Sequence, residues 1–192
     1  MRRAQATARG CGLAALLLAA VCAHGATAWV TDIGHSRLEF TGTLSGGKFD
    51  GRFTTFAPDI VFDPADLAGS HFLVQIQTAS ADTADKDRDE ILKGVDFFAA
   101  GRWPAARFEA ARFVTVGDGR YEARGRLTIR DVTRDVALPF SFKPSADGRT
   151  ATMSGSATVR RLDFGVGQGE WRDTEWVGDE VTIRFDLLLQ RK

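Results

Sequence analysis

Residues 121–130 read Tyr-Glu-Ala-Arg-Gly-Arg-Leu-Thr-Ile-Arg. In an extended chain, successive side chains point to opposite faces. Tyr121, Ala123, Gly125, Leu127 and Ile129 therefore share one face, and Glu122, Arg124, Arg126, Thr128 and Arg130 share the other. One face is apolar and the other strongly charged. This alternation marks a strand that is dry on one side and wet on the other, as in an antiparallel sheet or barrel.

The same period recurs on both sides of this stretch. Val136, Leu138, Phe140 and Phe142 share a phase, as do Met153, Gly155, Ala157 and Val159. Val181, Ile183, Phe185, Leu187 and Leu189 alternate with Thr182, Arg184, Asp186, Leu188 and Gln190. Towards the N-terminus, Phe72, Val74 and Ile76 form one such row, and Ser36, Leu38, Phe40, Gly42 and Leu44 form another. Segments 51–56 and 108–116 read as extended but less regular. The turn signals Ser45-Gly46-Gly47, Gly117-Asp118-Gly119 and Ser145-Ala146-Asp147-Gly148 separate neighbouring runs at hairpin spacing. About eight antiparallel strands in one domain follow. Thr83 to Lys93 departs from the pattern and reads as a short helix near residues 84–93, with Thr83 as its cap. Eight strands close as a barrel or pack as a sandwich, and closure removes the exposed edges. Gly42, Ala123, Gly125, Gly155 and Ala157 lie in the apolar phase, where small residues either relieve crowding or leave space for a ligand.

The chain has 192 residues and no formal net charge, with 25 basic and 25 acidic residues. The balance is uneven along it. Arg2, Arg3 and Arg9 open the sequence, an apolar run from Gly12 to Ala23 follows, and Ala26-Thr27-Ala28 ends the segment. Residues 1–28 have the layout of a secretory signal peptide. The apolar run is too short for the ~20 residues that span a bilayer. The only cysteines, Cys11 and Cys22, lie inside this segment. Residues 29–192, read as one domain, then hold neither a disulfide nor a thiolate nucleophile. They carry 22 basic against 25 acidic residues, a mildly acidic body that argues against nucleic acid as the partner.

Catalytic and metal-binding patterns are weak. His35 and His71 are the only histidines after residue 28, and no third ligand accompanies them at metal spacing. His35 and Ser36 are adjacent on an extended segment, so they face opposite ways and do not make a base and its nucleophile. Gly165-Val166-Gly167-Gln168-Gly169 does not sit between a parallel strand and a helix, as a dinucleotide site requires. Asp85, Asp87, Asp89 and Glu90 are interleaved with Lys86 and Arg88 and read as a solvated face. What stands out is apolar capacity. All 14 Phe and all 4 Trp lie beyond residue 28, and phenylalanine suits both packing and hydrocarbon ligands.

Taken together, several segments resemble the YceI-like family of exported polyisoprenoid-binding proteins. They are Trp29-Val30-Thr31-Asp32 with His35-Ser36 and Phe40, Gly51-Arg52-Phe53, Ile60-Val61-Phe62-Asp63, and Ala79-Ser80 with Thr83. Asp87-Arg88-Asp89, Asp96-Phe97-Phe98, Pro104, Phe108, Gly125 to Ile129 with Val132-Thr133, and Arg161 with Asp163-Phe164-Gly165 continue the series in order. The pattern departs at Asp131, where the family usually has glycine, at Arg134-Asp135 in place of Lys-Pro, and at Trp103 in place of Tyr.

The resemblance implies an all-β, lipocalin-like, extended antiparallel barrel, a periplasmic location, no catalysis and no cofactor. Its implied ligand is an amphiphilic isoprenoid such as a prenyl quinone or polyprenyl phosphate, with the small inward residues making room. The tail would lie against Leu38, Phe40, Phe53, Phe72, Val74 and Ile76 from the first half of the barrel. Leu127, Ile129, Phe140, Phe142, Ile183, Phe185 and Leu187 would enclose it from the second half. Arg88 or Arg161 would hold a phosphate head group, unless each is taken up by Asp89 or Asp163 beside it. Another lipid such as a fatty acid or amide, a packed barrel with a structural role in stress, an enzyme acting on a bound lipid, and a homodimer stay open.

Overall fold

The computed structural model describes residues 25–192. Most of the expected export segment, with Cys11 and Cys22, lies outside the described residues. In chain order the elements are β1 (Ala28–Thr31), β2 (Arg37–Leu44), β3 (Gly47–Phe53), β4 (Phe56–Val61), β5 (His71–Gln77) and β6 (Ala81–Asp82). Helix α1 (Lys86–Lys93) follows, then β7 (Ala105–Gly117), β8 (Arg120–Ile129), β9 (Val132–Pro144), β10 (Thr150–Arg160) and β11 (Glu180–Arg191).

All pairings are antiparallel, and they reduce to eight staves. β1 and β2 are one stave, interrupted by a single 3-10 turn at Ile33–His35 that the Asp32 side chain caps. β3 and β4 are a second, bent at Thr54-Thr55. β1 pairs with β4 and β2 with β3, so the two interrupted staves run alongside one another. β5, β7, β8, β9, β10 and β11 then follow as a meander. The last strand closes the ring: β11 pairs with β2 through Thr182 to Asp186 and with β1 through Leu189 to Arg191. The result is a closed eight-stranded, lipocalin-like barrel with one short helix.

The alternation read from the sequence sets the inner face. Tyr121, Ala123, Leu127, Phe140, Phe142, Met153, Val159, Leu187 and Leu189 are all buried. A β-bulge between Ala110 and Arg112 explains the irregular stretch. Phe108 and Phe113 are five residues apart, and both face inward only because one residue is inserted there.

Helix α1 begins later than the sequence suggested. Its cap is Asp85, whose carboxylate accepts from the backbone N–H of Asp87 and Arg88, each at 3.1 Å. The Thr83 hydroxyl instead donates to Asp89 at 2.7 Å.

The inward glycines do not make room; they relieve crowding. Gly42, Gly51 and Gly155 each stand directly opposite a phenylalanine on the neighbouring strand: Phe49, Phe40 and Phe185 respectively. A Cβ on Gly42 would meet the Phe49 ring at 2.8 Å, and one on Gly125 would meet Phe108 at 2.9 Å. Facing glycine and aromatic residues in this way lets the ring lie flat over the partner backbone.

Candidate functional site: an apolar chamber with a looped mouth

The two ends of the barrel differ. One end, where the chain enters at β1 and the 62–70, 117–119 and 145–149 connections turn, is closed by aromatic rings. Phe62 is fully buried at its centre. Its ring lies 5.0 Å from those of Tyr121 and Phe142, 5.2 Å from Phe140 and 5.7 Å from Phe113, mostly edge to face. Such pairs contribute about 0.5–1.5 kcal/mol each beyond the area they bury. Trp29 seals the rim: its ring stands on Phe142, and its Nε1 donates to the Phe62 carbonyl at 2.9 Å. Phe140 and Phe142 thus belong to this plug and border neither of the apolar chambers described next. Nothing in the sequence beyond its place in Ile60-Val61-Phe62-Asp63 marks Phe62 as the centre of this plug.

Beyond the plug lie two apolar chambers. The first, of about 100 Å³, is bordered by Leu38, Phe72, Val74, Ile76, Leu127, Ile183, Phe185 and Leu187, together with Phe56, Ile60, Met153 and Ala157. The second, of about 110 Å³, is bordered by Phe40, Phe53 and Ile129, and by Phe49, Leu92, Phe97, Phe98, Val166 and Val177 towards the loops. Leu38, Ile76, Leu127, Val159 and Ile183 border both, so the chambers meet at a shared collar. Each is smaller than the ~150 Å³ apolar cavity that takes up a benzene-sized guest.

The second chamber faces the opposite end of the barrel, which is irregular. The turn after β2, the 78–104 connection with α1, the Arg130-Asp131 turn and the 161–179 connection gather there. The four non-glycine residues with left-handed backbone among the described residues also lie at this end: Ser45, Ala84, Ala99 and Arg130. Such conformations cost of order 1–2 kcal/mol each and persist only where the surroundings impose them.

The two arginines singled out from the sequence have different roles, and neither makes the ion pair expected of it. Arg161 does not pair with Asp163. It is buried and donates to four backbone carbonyls: Nε to Gly178 at 3.0 Å, Nη1 to Val166 at 2.9 Å, and Nη2 to Trp171 and Val177 at 2.7 Å. Gly167 makes space for the guanidinium, because a Cβ there would overlap it. Burial lowers the Arg161 pKa from its ordinary value, against the raising effect of Asp179. With most of its donors committed, Arg161 holds the 161–179 connection together and has little left for a phosphate.

Arg88 does not pair with Asp89. Its Nη2 donates to Asp85 at 3.0 Å, and its guanidinium lies 4.6 Å from the centre of the Phe49 ring, which borders the second chamber. The Arg88 Nε is one of two buried side-chain polar atoms without a partner among the described residues; the other is the Thr31 hydroxyl. The backbone N–H of Arg88, then its guanidinium and the Asp87 N–H, hold the Asp85 carboxyl below its usual range despite some desolvation.

His35 Nδ1 sits 3.0 Å from Asp32, exposed to solvent. Ser36 turns away to donate to the Asp32 carbonyl and accept from Leu188 N–H. Among the described residues no group of three or more His, Cys, Asp or Glu side chains could hold a metal ion. No described helix is long and apolar enough to cross a membrane.

A closed up-and-down barrel with an apolar interior, plugged at one end and looped over at the other, defines a lipocalin-like architecture. The YceI-like domain model matches residues 29–189, and the chain belongs to the YceI-like family. A UPF0312 protein of Vibrio cholerae is 28% identical over 161 residues, covering 81% of this chain and 85% of that protein. The crystal structure of BcnA from Burkholderia cenocepacia superposes with a TM-score of 0.79 at 32% identity, covering 83% of this chain and 99% of that one. A polyisoprenoid binding domain from Saccharophagus degradans, implicated in plant cell wall breakdown, shares the fold with a TM-score of 0.69 at 12% identity, over 86% of this chain and 99% of that one.

Proposed function

We propose that this chain is a non-enzymatic binding protein for an amphiphilic isoprenoid lipid, exported to the periplasm by its first 28 residues. The observation that carries the reading is the pair of chambers joined at one collar, lined almost wholly by hydrocarbon and directed from a sealed end to a looped mouth. A hydrocarbon chain placed there gains roughly 25 cal/mol per Å² removed from water. The likeness to a polyisoprenoid binding domain supports the choice of tail. The head group stays at the mouth, where Arg88 has an unpartnered buried N–H beside Phe49.

The chambers are too small for a long tail while the rings hold their present positions. Phe53 and Phe98, partly buried and 5.9 Å apart, border the second chamber and must turn aside. A second reading rests on the same volumes: a packed barrel that takes no long ligand. Titration with a prenyl quinone, followed through tryptophan fluorescence, separates the two. Trp171 meets Phe97 edge to face with ring centres 5.5 Å apart, beside the second chamber, so a bound quinone ring quenches it. Saturable one-to-one quenching supports the carrier. Absence of quenching up to the solubility limit supports the packed barrel.

A further inference from the structure

Two segments cover the second chamber. Residues 94–104 contribute Phe97 and Phe98 to its wall, and the 161–179 connection contributes Val166 and Val177. A single side chain from a third element ties them together. Arg130 Nη1 donates to the Phe97 carbonyl at 2.7 Å and to the Gly165 carbonyl at 2.8 Å, with a longer approach to Asp96 at 3.4 Å. Its guanidinium also lies 4.7 Å from the centre of the Trp103 ring, which Arg102 approaches at 4.5 Å. Among the described residues a backbone seam also joins the cover segments: the Asp96 carbonyl accepts from Gly167 N–H at 2.7 Å and Gln168 N–H at 2.8 Å, and Trp171 meets Phe97 edge to face beside it.

The backbone at Arg130 is informative. It is the first residue of the two-residue turn between β8 and β9, and its φ is +57°. Glycine is the usual choice there, because a side chain strains a left-handed turn position. An arginine in that place is held by what its side chain does across the mouth. At the opposite end, Phe62 and its ring neighbours fill the barrel among the described residues.

We propose that Arg130 is the latch of the barrel mouth: it joins the two cover segments, and its release lets a hydrophobic guest enter and leave. This rests on the reading of the barrel as a lipid-binding site. In the latched state Phe97 and Val166 are held side by side over the second chamber. When the guanidinium lets go, the Asp96 seam and the contact of Phe97 with Trp171 still hold the segments, and they part when these yield.

Stopped-flow exchange of a prenyl quinone with two isoprene units, read by tryptophan quenching, tests the latch. Arg130→Gly removes the side chain and relieves the strained backbone, so the turn itself is kept. Association and release should both rise tenfold or more, with less than a threefold change in Kd. A second variant, Asp96→Cys with Gln168→Cys, is designed to lock the backbone seam by a disulfide; residues 25–192 contain no other cysteine to compete. Oxidised, it should slow release at least tenfold, and a reductant should restore the rate. Unchanged rates in the oxidised pair, or in a folded Arg130→Gly protein, overturn the latch while leaving quinone binding intact. If the unaltered protein does not bind the quinone, the lipid-binding reading fails and the latch falls with it.

Discussion

The Phe40 ring lies across the backbone of Gly51, directly opposite it on the neighbouring strand, so closely that a Cβ on Gly51 would overlap the ring. Phe40 also borders the second chamber. Gly51→Ala therefore pushes that ring towards the barrel axis. Overpacking of this kind typically costs about 1–3 kcal/mol. Chemical denaturation should show that loss, and quinone affinity should fall with it because the chamber narrows.

Arg161 is predicted to be a structural anchor and not a ligand contact. Lysine cannot reach the four carbonyls that the guanidinium satisfies, and unmet buried acceptors are costly. Arg161→Lys should lower stability by about 3 kcal/mol in a denaturant titration. The affinity ratio between a polyprenyl phosphate and an uncharged prenyl quinone should stay as it was. A change in that ratio would return Arg161 to the head-group site.

Arg88 is predicted to behave in the opposite way. Charge-assisted hydrogen bonds contribute about 1.5–3 kcal/mol, or roughly 10- to 100-fold in affinity. Arg88→Ala should weaken a polyprenyl phosphate within that range and leave a prenyl quinone nearly unaffected. Isothermal titration of both ligands reads the difference directly, and equal losses would remove Arg88 from head-group recognition.

Acid should act through Asp179. Burial works to raise its pKa, but the Arg160 guanidinium at 2.8 Å, the Leu162 N–H at 3.0 Å and the nearby Arg161 charge outweigh this and lower it. A carboxylate with a depressed folded pKa stabilises the fold above its unfolded value, near 3.9. That contribution is lost as pH falls through the folded value. Wild-type protein should melt above Asp179→Asn at pH 7. The gap should shrink as pH drops below about 4, as thermal melts across that range would show.

Much of the barrel was legible because strand alternation records which face is dry. Tyr121 to Ile129 and Val181 to Leu189 carry that record without a break. It fails where the chain breaks its own period. The 3-10 turn at Ile33–His35 separates β1 from β2, and Pro58, a residue that disfavours strands, lies inside β4, so neither β1 nor β4 is legible as a strand from the sequence. Phe108 and Phe113 fall out of phase until the bulge is known.

The site was legible as a set of inward residues but not as two ends. Phe140 and Phe142 share the phase of Leu138, yet they sit in the plug, because position along a strand is invisible until the register is set. The partners of Arg161 are backbone carbonyls, which carry no residue identity, so acidic neighbours in the sequence pointed to the wrong interaction. Arg130 is inconspicuous in the sequence for a related reason: what distinguishes it is a turn geometry and three carbonyls. The inward glycines were ambiguous in isolation. Only the phenylalanines facing Gly42, Gly51 and Gly155 show that the space is already filled.

Native mass spectrometry of the protein purified from a bacterial periplasm, followed by solvent extraction and identification of any released lipid, tests isoprenoid binding most directly. The expected result is one isoprenoid per chain, either retained on purification or taken up when prenyl quinone is added. A fatty acid or amide in its place would keep the carrier and change its cargo. A bare mass that stays unchanged after addition of prenyl quinone would contradict lipid carriage and identify the barrel as a packed one.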